Sequence, residues 1–362
     1  MIDRTRYLTL LILAVLSLFT YNTWQTRNEL ELDLNSSLRR VESLTKKLEK
    51  SKQPAPSIFD SGSGDNILLE TIDLNYEDID FKEEYKERLE NKERVCQIME
   101  DEGLYNDTLL EEIDSETLAE HHLRLVVDEK HQILYCELPK VGCTNWKRTM
   151  LQLIHPDTYG KMKVEDIKSP HGKKGEDGYR YLSTYPKEQQ IFMLQTFYKF
   201  MFVRHPLERL LSAYRDKVQD NYLRQNFVAK QLQEIGDDDF LQEANVEGFH
   251  QFVKYLIAKG DDRKYGARQR HWGPYFQICK VCSIDWNFIG KMETLNEDVE
   301  YVLNDMNVRD LTDYPKRNKT TNHSTLMKFY ENIGAENIQK IYELYRLDYE
   351  LFGYDVPSIF LK

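Results

Sequence analysis

Residues 133–150 read Ile133-Leu-Tyr-Cys-Glu-Leu-Pro-Lys-Val-Gly-Cys-Thr-Asn-Trp-Lys-Arg-Thr-Met150, and the rest of the chain can be placed around them. The run from Ile133 to Leu138 is short, apolar and rich in strand formers, which predicts a buried strand. Pro139 ends it, having no N–H to give to a sheet. Gly142 lets the backbone turn tightly or approach a ligand closely. From Thr144 the pattern turns helical, with Trp146, Met150, Leu153 and Ile154 on one face. Strand, tight loop and helix N-terminus together form an anion-binding geometry, because N–H groups and the positive end of the helix dipole point at the loop. Lys140 adds a cation there, and Thr144 and Asn145 add polar side chains.

The loop is not that of a nucleoside triphosphatase. That motif, G-x-x-x-x-G-K-S/T, places its Lys after the second Gly and follows it with a hydroxyl for magnesium. Here the Lys precedes the only Gly. Cationic and hydroxyl groups without metal-binding logic suit a nucleotide whose leaving group is stabilised directly by Lys, and a sulfuryl donor fits. A P-loop kinase or nucleotide-binding protein is the alternative from another class; the missing Walker Lys and magnesium hydroxyl count against it.

A second stretch supports the same reading. Lys199-Phe-Met-Phe-Val203 predicts another buried strand, followed by Arg204-His205-Pro206 and a helical pattern that Pro206 is well placed to start. Leu207, Leu210, Leu211, Tyr214 and Val218 form one apolar stripe. Arg204 offers a planar fork that matches a phosphate, and the Ser212 hydroxyl can complete the pocket.

Residues 139–148 resemble the 5′-phosphosulfate loop of the Golgi carbohydrate sulfotransferases that include the chondroitin and dermatan 4-O-sulfotransferases. Residues 202–217 resemble that family's 3′-phosphate element. The stretch from His271-Trp272 through Cys279-x-x-Cys282 to Glu293, and the tail from Tyr345 to Tyr354, are also similar. The resemblance covers residues 94–362. It departs at His205, where relatives often carry an acidic residue, and in the Gly/Lys-rich insert after His171. It implies the sulfotransferase fold, a P-loop-like parallel α/β sheet flanked by helices, and the donor 3′-phosphoadenylyl sulfate (PAPS). By the same resemblance Lys140, Val141, Gly142, Cys143, Thr144, Asn145 and Trp146 hold the phosphosulfate. Arg204, His205, Arg209 and Ser212 hold the 3′-phosphate side. The scheme calls for no metal. Lys140, His171 and His271 are the candidates for chemistry: Lys140 for the leaving oxygen, and a His, with His171 first, for the base on the acceptor hydroxyl. Glu293 is a further candidate base.

Ahead of this domain, Arg4 and Arg6 precede an uncharged, leucine-rich run from Tyr7 to Tyr21. Positive charge before the run and no small-x-small cleavage site after it predict an uncleaved type II anchor. The expected order is a cytoplasmic tail at 1–6, a transmembrane anchor at 7–21, a lumenal stem at 22–93 and a catalytic domain at 94–362, in the Golgi membrane. Residues 28–50 carry Leu34, Leu38, Val41 and Leu48 at helical spacing, which fits either a stem coiled coil that pairs two chains or a lone amphipathic helix. Residues 53–56 and 60–65 read as flexible linker.

The chain carries a net charge of −12, but residues 60–120 hold 21 acidic against 5 basic residues, which leaves the remainder at +4. Basic residues gather in three runs. One surrounds His171 (Lys163, Lys168, Lys173, Lys174, Arg180), one leads into His271 (Arg263, Lys264, Arg268, Arg270), and one is Lys316, Arg317 and Lys319. Such patches attract a polyanion despite the acidic total. An anionic glycosaminoglycan is the expected acceptor, and no nucleic-acid-binding motif is present.

The five cysteines are an odd number, so at least one thiol is free or pairs between chains, and Cys143 is the candidate. Cys279 and Cys282 lack a second pair to complete a zinc site, which points to a local or cross-linked disulfide. Sequons stand at Asn35, Asn106, Asn318 and Asn322. Trp286 to Gly290 predicts a third buried strand, and Ala335 to Leu351 a patterned helix. Strands alternating with helices predict a parallel sheet with ligands at the strand C-terminal ends.

Overall fold

The computed structural model describes residues 81–114, 123–173, 175, 178–219, 246–259, 269–315, 323–331 and 333–355. They belong to the compact unit Tyr76–Lys362. The expected anchor, the helical pattern at 28–50, the linker and the sequons at Asn35, Asn318 and Asn322 lie outside the described residues. So do Lys174, Arg263, Lys264, Arg268, Lys316, Arg317 and Lys319. Among the described residues no helix is long and apolar enough to cross a membrane.

Helices α1 (Phe81–Asp101) and α2 (Leu109–Asp114) lead into strands β1 (Leu125–Asp128) and β2 (Ile133–Cys136). After the loop come α3 (Cys143–Ile154) and the single turn α4 (Pro156–Tyr159). A segment with 3-10 turns at Val164–Asp166 and Pro170–Gly172 reaches β3 (Arg180–Tyr181), α5 (Lys187–Thr196), β4 (Tyr198–Val203) and α6 (Pro206–Tyr214). A π-helical turn, Arg215–Gln219, extends α6. The remaining elements are α7 (Val246–Lys259), α8 (Tyr275–Ile278), β5 (Phe288–Lys291), α9 (Leu295–Asp305), α10 (His323–Tyr330) and α11 (Ala335–Leu351).

The sheet runs in the order β3-β1-β2-β4-β5. Strands β2, β4 and β5 are parallel, with Tyr135 opposite Phe200 and Phe202 opposite Gly290. Strand β1 is antiparallel to both β2 and β3, so the sheet is mixed rather than parallel. The reason is the short connection at 129–132, since a parallel crossover needs a dozen or more residues. Asp128 builds that reversal: its carboxylate accepts the N–H groups of Lys130 and His131, at 3.1 and 3.2 Å. Gly290 lets β5 lie against β4, because a Cβ there would meet the Phe202 ring at 2.4 Å.

The strands are buried because helices cover the sheet. Trp146 of α3 sits among Tyr135, Phe200, Phe202 and Tyr314, with ring centroids 4.8 to 5.8 Å away. The expected stripe on α6 packs in a second cluster with Phe249, Phe252, Tyr330, Ile338 and Ile341 from α7, α10 and α11. Helix α1 joins the first cluster through Tyr85, Val95 and Met99. Its buried Arg88 pairs with buried Asp298 at 2.6 Å. Residue 94, the expected start of the catalytic domain, lies within α1. Two disulfides staple the loop after α8: Cys136–Cys279 to the end of β2, and Cys96–Cys282 to α1. Cys279 and Cys282 therefore pair with distant partners and not with each other, and Cys143 is the free thiol.

Candidate functional site

A cavity of about 390 Å3 opens where β2, β4 and β5 end. Pro139, Lys140, Gly142, Cys143, Thr144 and Asn145 line it from the loop after β2 and the first turn of α3. Arg204 enters from the end of β4, and Ser212, Asp216 and Lys217 from α6 and its π-helical turn. Met292 follows β5, and His171, His271, Leu295 and Tyr314 complete the lining.

The loop backbone is shaped for this place. Lys140 and Gly142 both adopt left-handed conformations, with φ of 73° and 81°. For Lys140 that geometry is strained, costing on the order of 1 kcal/mol. Gly142 is required twice over, because a Cβ would also meet the Tyr314 hydroxyl at 2.4 Å. Gly142 caps α3 without a side chain, so nothing of its own covers the helix N-terminus. The first N–H groups of a helix have no acceptor within the helix, and they face the side on which the dipole favours negative charge.

The cations are held by short ion pairs. Lys140 Nζ lies 2.9 Å from Asp216 Oδ2, and Lys217 Nζ lies 3.1 Å from the same oxygen. Burial alone would raise the Asp216 carboxyl, but the two lysines outweigh it and hold it low. Arg204 is buried and pairs through Nε and Nη2 with Glu208, one turn along α6. Its backbone is fixed by Tyr275, whose hydroxyl accepts the Arg204 N–H and donates to the Arg204 carbonyl.

Behind Thr144 runs a chain of polar contacts. His171 Nε2 is 2.9 Å from Thr144 Oγ1, and His171 Nδ1 is 2.9 Å from Lys147 Nζ. Lys147, buried on α3, also pairs with Glu137 at 2.6 Å. Glu137 accepts the Tyr181 hydroxyl as well. Burial would raise the Glu137 carboxyl, but Lys147, Tyr181 and Arg270 overcome it and lower its pKa. The pKa of His171 is lowered, first by desolvation of the ring and then by Lys147.

The cavity thus brings together Lys140, Gly142, Cys143, Thr144, Asn145, His171, Arg204, Ser212 and His271. The other expected residues do not line it. Val141 and Trp146 are fully buried in the core. The Arg209 guanidinium donates to the carbonyls of Pro139, Arg270 and Gly273, and stacks 4.3 Å over Tyr275. The His205 ring packs against Tyr349 and Tyr354, each 5.4 Å away. Glu293 accepts the His205 N–H and the Tyr354 hydroxyl. Asp216, Lys217, Lys147, Glu137 and Tyr314 were not expected. Asp216 had a usable signal, since it stands four residues after Ser212 on a helical pattern; Tyr314 had none.

The sequence matches the sulfotransferase family over residues 123–355. Carbohydrate sulfotransferase 11 of Rattus norvegicus is 34% identical over 243 residues, which is 65% of this chain and 68% of the relative. Carbohydrate sulfotransferase 14 of Danio rerio is 30% identical over 256 residues, or 69% and 66% of the two chains. Carbohydrate sulfotransferase 9 of Homo sapiens is 30% identical over 249 residues, or 65% and 54%. No solved structure matches the chain. The family match runs from β1 to beyond α11 and contains every residue that lines the cavity, and on that ground this chain belongs to the sulfotransferase family.

Proposed function

We propose that this protein transfers a sulfuryl group from PAPS to a sugar hydroxyl of an anionic glycan, with position 4 of N-acetylgalactosamine in chondroitin as the favoured acceptor. The observation that carries the reading is one cavity at the strand ends that gathers Lys140 beside a helix N-terminus, Arg204 with Ser212, and the imidazoles of His171 and His271. The donor's two anionic groups fit this donor set. The loop from Lys140 to Trp146 takes the 5′-phosphosulfate, as an oxyanion hole does, and Arg204 and Ser212 take the 3′-phosphate.

In the reaction the acceptor hydroxyl oxygen attacks sulfur, and the bond from sulfur to the bridging phosphate oxygen breaks. Lys140 stabilises the charge on that leaving oxygen. The hydroxyl proton passes to an imidazole, and the products are a sulfate ester and adenosine 3′,5′-bisphosphate. The basic residues around His171, among them Lys163, Lys168 and Lys173, pair with carboxylates along the polymer. Such remote contacts align the reactive hydroxyl. An uncleaved anchor at residues 7–21 holds the domain in the Golgi lumen, and the stem is a candidate for pairing two chains.

Labelled-sulfate transfer from PAPS to a panel of desulfated glycosaminoglycans, with disaccharide mapping of the product, tests the reading. Sulfate found only at position 6 or on uronic acid rejects the chondroitin 4-O acceptor and leaves sulfuryl transfer standing; no transfer to any glycan rejects both. Carbonate extraction that releases the full-length chain rejects the anchor.

A further inference from the structure

We propose that His171 works as a neutral, fixed hydrogen-bond donor that aims the Thr144 hydroxyl into the cavity, and that buried Lys147 and Glu137 are positioning residues that set its tautomer. This rests on the sulfuryl-transfer reading above.

The argument is a proton inventory. An ammonium has only protons to give, so the 2.9 Å contact between Lys147 Nζ and His171 Nδ1 requires Nδ1 to accept. Burial lowers the Lys147 pKa, and the pair with Glu137 at 2.6 Å opposes that shift and favours the ammonium form. With Nδ1 accepting, the ring proton sits on Nε2, which lies 2.9 Å from Thr144 Oγ1 and donates to it. The Thr144 oxygen receives that bond, and its own proton is left to point at an anionic oxygen in the cavity that Thr144 lines.

The chain is anchored at its far end. Glu137 is held by the Tyr181 hydroxyl and by Arg124 at 3.6 Å, and its carbonyl accepts from Arg270 at 2.9 Å. Lys147 therefore cannot move away from the ring without giving up its 2.6 Å pair with the buried Glu137 carboxylate. A second proton on His171 would set an imidazolium N–H against an ammonium. Arg148 from α3 and Lys217 from the π-helical turn also oppose that charge, and Glu137 favours it. A ring so placed is a poor proton acceptor. His271, the other imidazole lining the cavity, is then the base on the acceptor hydroxyl.

The test uses the whole lumenal protein and two readouts, sulfate transfer and the pH dependence of adenosine 3′,5′-bisphosphate affinity by calorimetry. His171 is exposed, so its variants leave the core untouched. His171→Gln keeps an N–H donor but cannot titrate, and it should exceed His171→Ala by about threefold or more in both readouts. His171→Ala should lose about tenfold, the scale of one hydrogen bond to a charged group. Lys147→Met frees Nδ1 and should add a new pH-dependent limb to bisphosphate affinity, with its fold checked by thermal melting. A His171→Gln protein as inactive as His171→Ala, in a wild type that transfers sulfate, overturns the inference alone. A wild type that binds no bisphosphate overturns it together with the sulfuryl-transfer reading.

Discussion

Asp216 Oδ2 sits 2.9 Å from Lys140 Nζ, so the cation proposed to meet the donor is already paired with an acid of the same cavity. An incoming phosphosulfate competes with that carboxylate for Lys140. Asp216→Asn should therefore tighten bisphosphate binding by about two- to fivefold, the scale of a half-exposed ion pair. Calorimetry that finds unchanged or weaker affinity rejects the competition.

Arg204, just after β4, and Arg209, within α6, should fail differently. Arg204→Ala should weaken bisphosphate binding by about 2–4 kcal/mol, the scale for truncating a buried charged contact, with little loss of fold because Glu208 can reach solvent. Arg209→Lys removes a fork that serves three carbonyls and should cost about 2–4 kcal/mol of stability. Urea melts and calorimetry on both variants check the contrast. Equal stability loss in both would refute it.

His205 should make the protein sensitive to acid. Its buried Nδ1 has no hydrogen-bond partner among the described residues, and burial lowers its pKa, with Glu208 opposing and Arg204 reinforcing the shift. A base with a depressed folded-state pKa contributes stability that is present above its unfolded value, about 6.5, and is lost as pH falls through the folded value. His205→Phe keeps an aromatic ring between Tyr349 and Tyr354 and should lose less stability than wild type between pH 7.5 and pH 5.5, as measured by thermal melting. Parallel losses in the two proteins would count against the assignment.

The disulfides span sequence separations of 186 and 143 residues. In the chain-entropy account a loop of that size is worth about 5 kcal/mol. Cys279→Ser should therefore lower the denaturation midpoint strongly, whereas Cys143→Ser should not. Under denaturing, non-reducing conditions one thiol per chain should titrate, and none in Cys143→Ser.

The strand, loop and helix at 133–154 were legible because each depends on neighbours in sequence: an apolar run, a proline that stops it, a glycine that turns, and a helical stripe. The same local logic gave strands at 199–203 and 286–290, which the fold has at Tyr198–Val203 and Phe288–Lys291. It also placed Lys140 in the loop after one strand, Arg204 at the end of another, and Thr144 and Ser212 on the helices that follow, and the cavity gathers them. Sequence alone did not show that β1 reverses direction, although the Asp128 turn carries a local signal for it.

Tertiary contacts decided the rest. Arg204 and Arg209 look alike in sequence. The carbonyls of residues 139, 270 and 273 meet at Arg209 only in the folded chain, and they draw its guanidinium away from the cavity. The cysteine partners are equally distant along the chain, so spacing could not choose among them. The tautomer of His171 depends on a lysine whose ammonium form is favoured by Glu137 at the end of another element. Local pattern fixes which segments turn and coil, because backbone sterics and side-chain periodicity act over a few residues. The fate of each charged group depends on which partners the packed core brings within about 3 Å, a reach set by hydrogen-bond geometry.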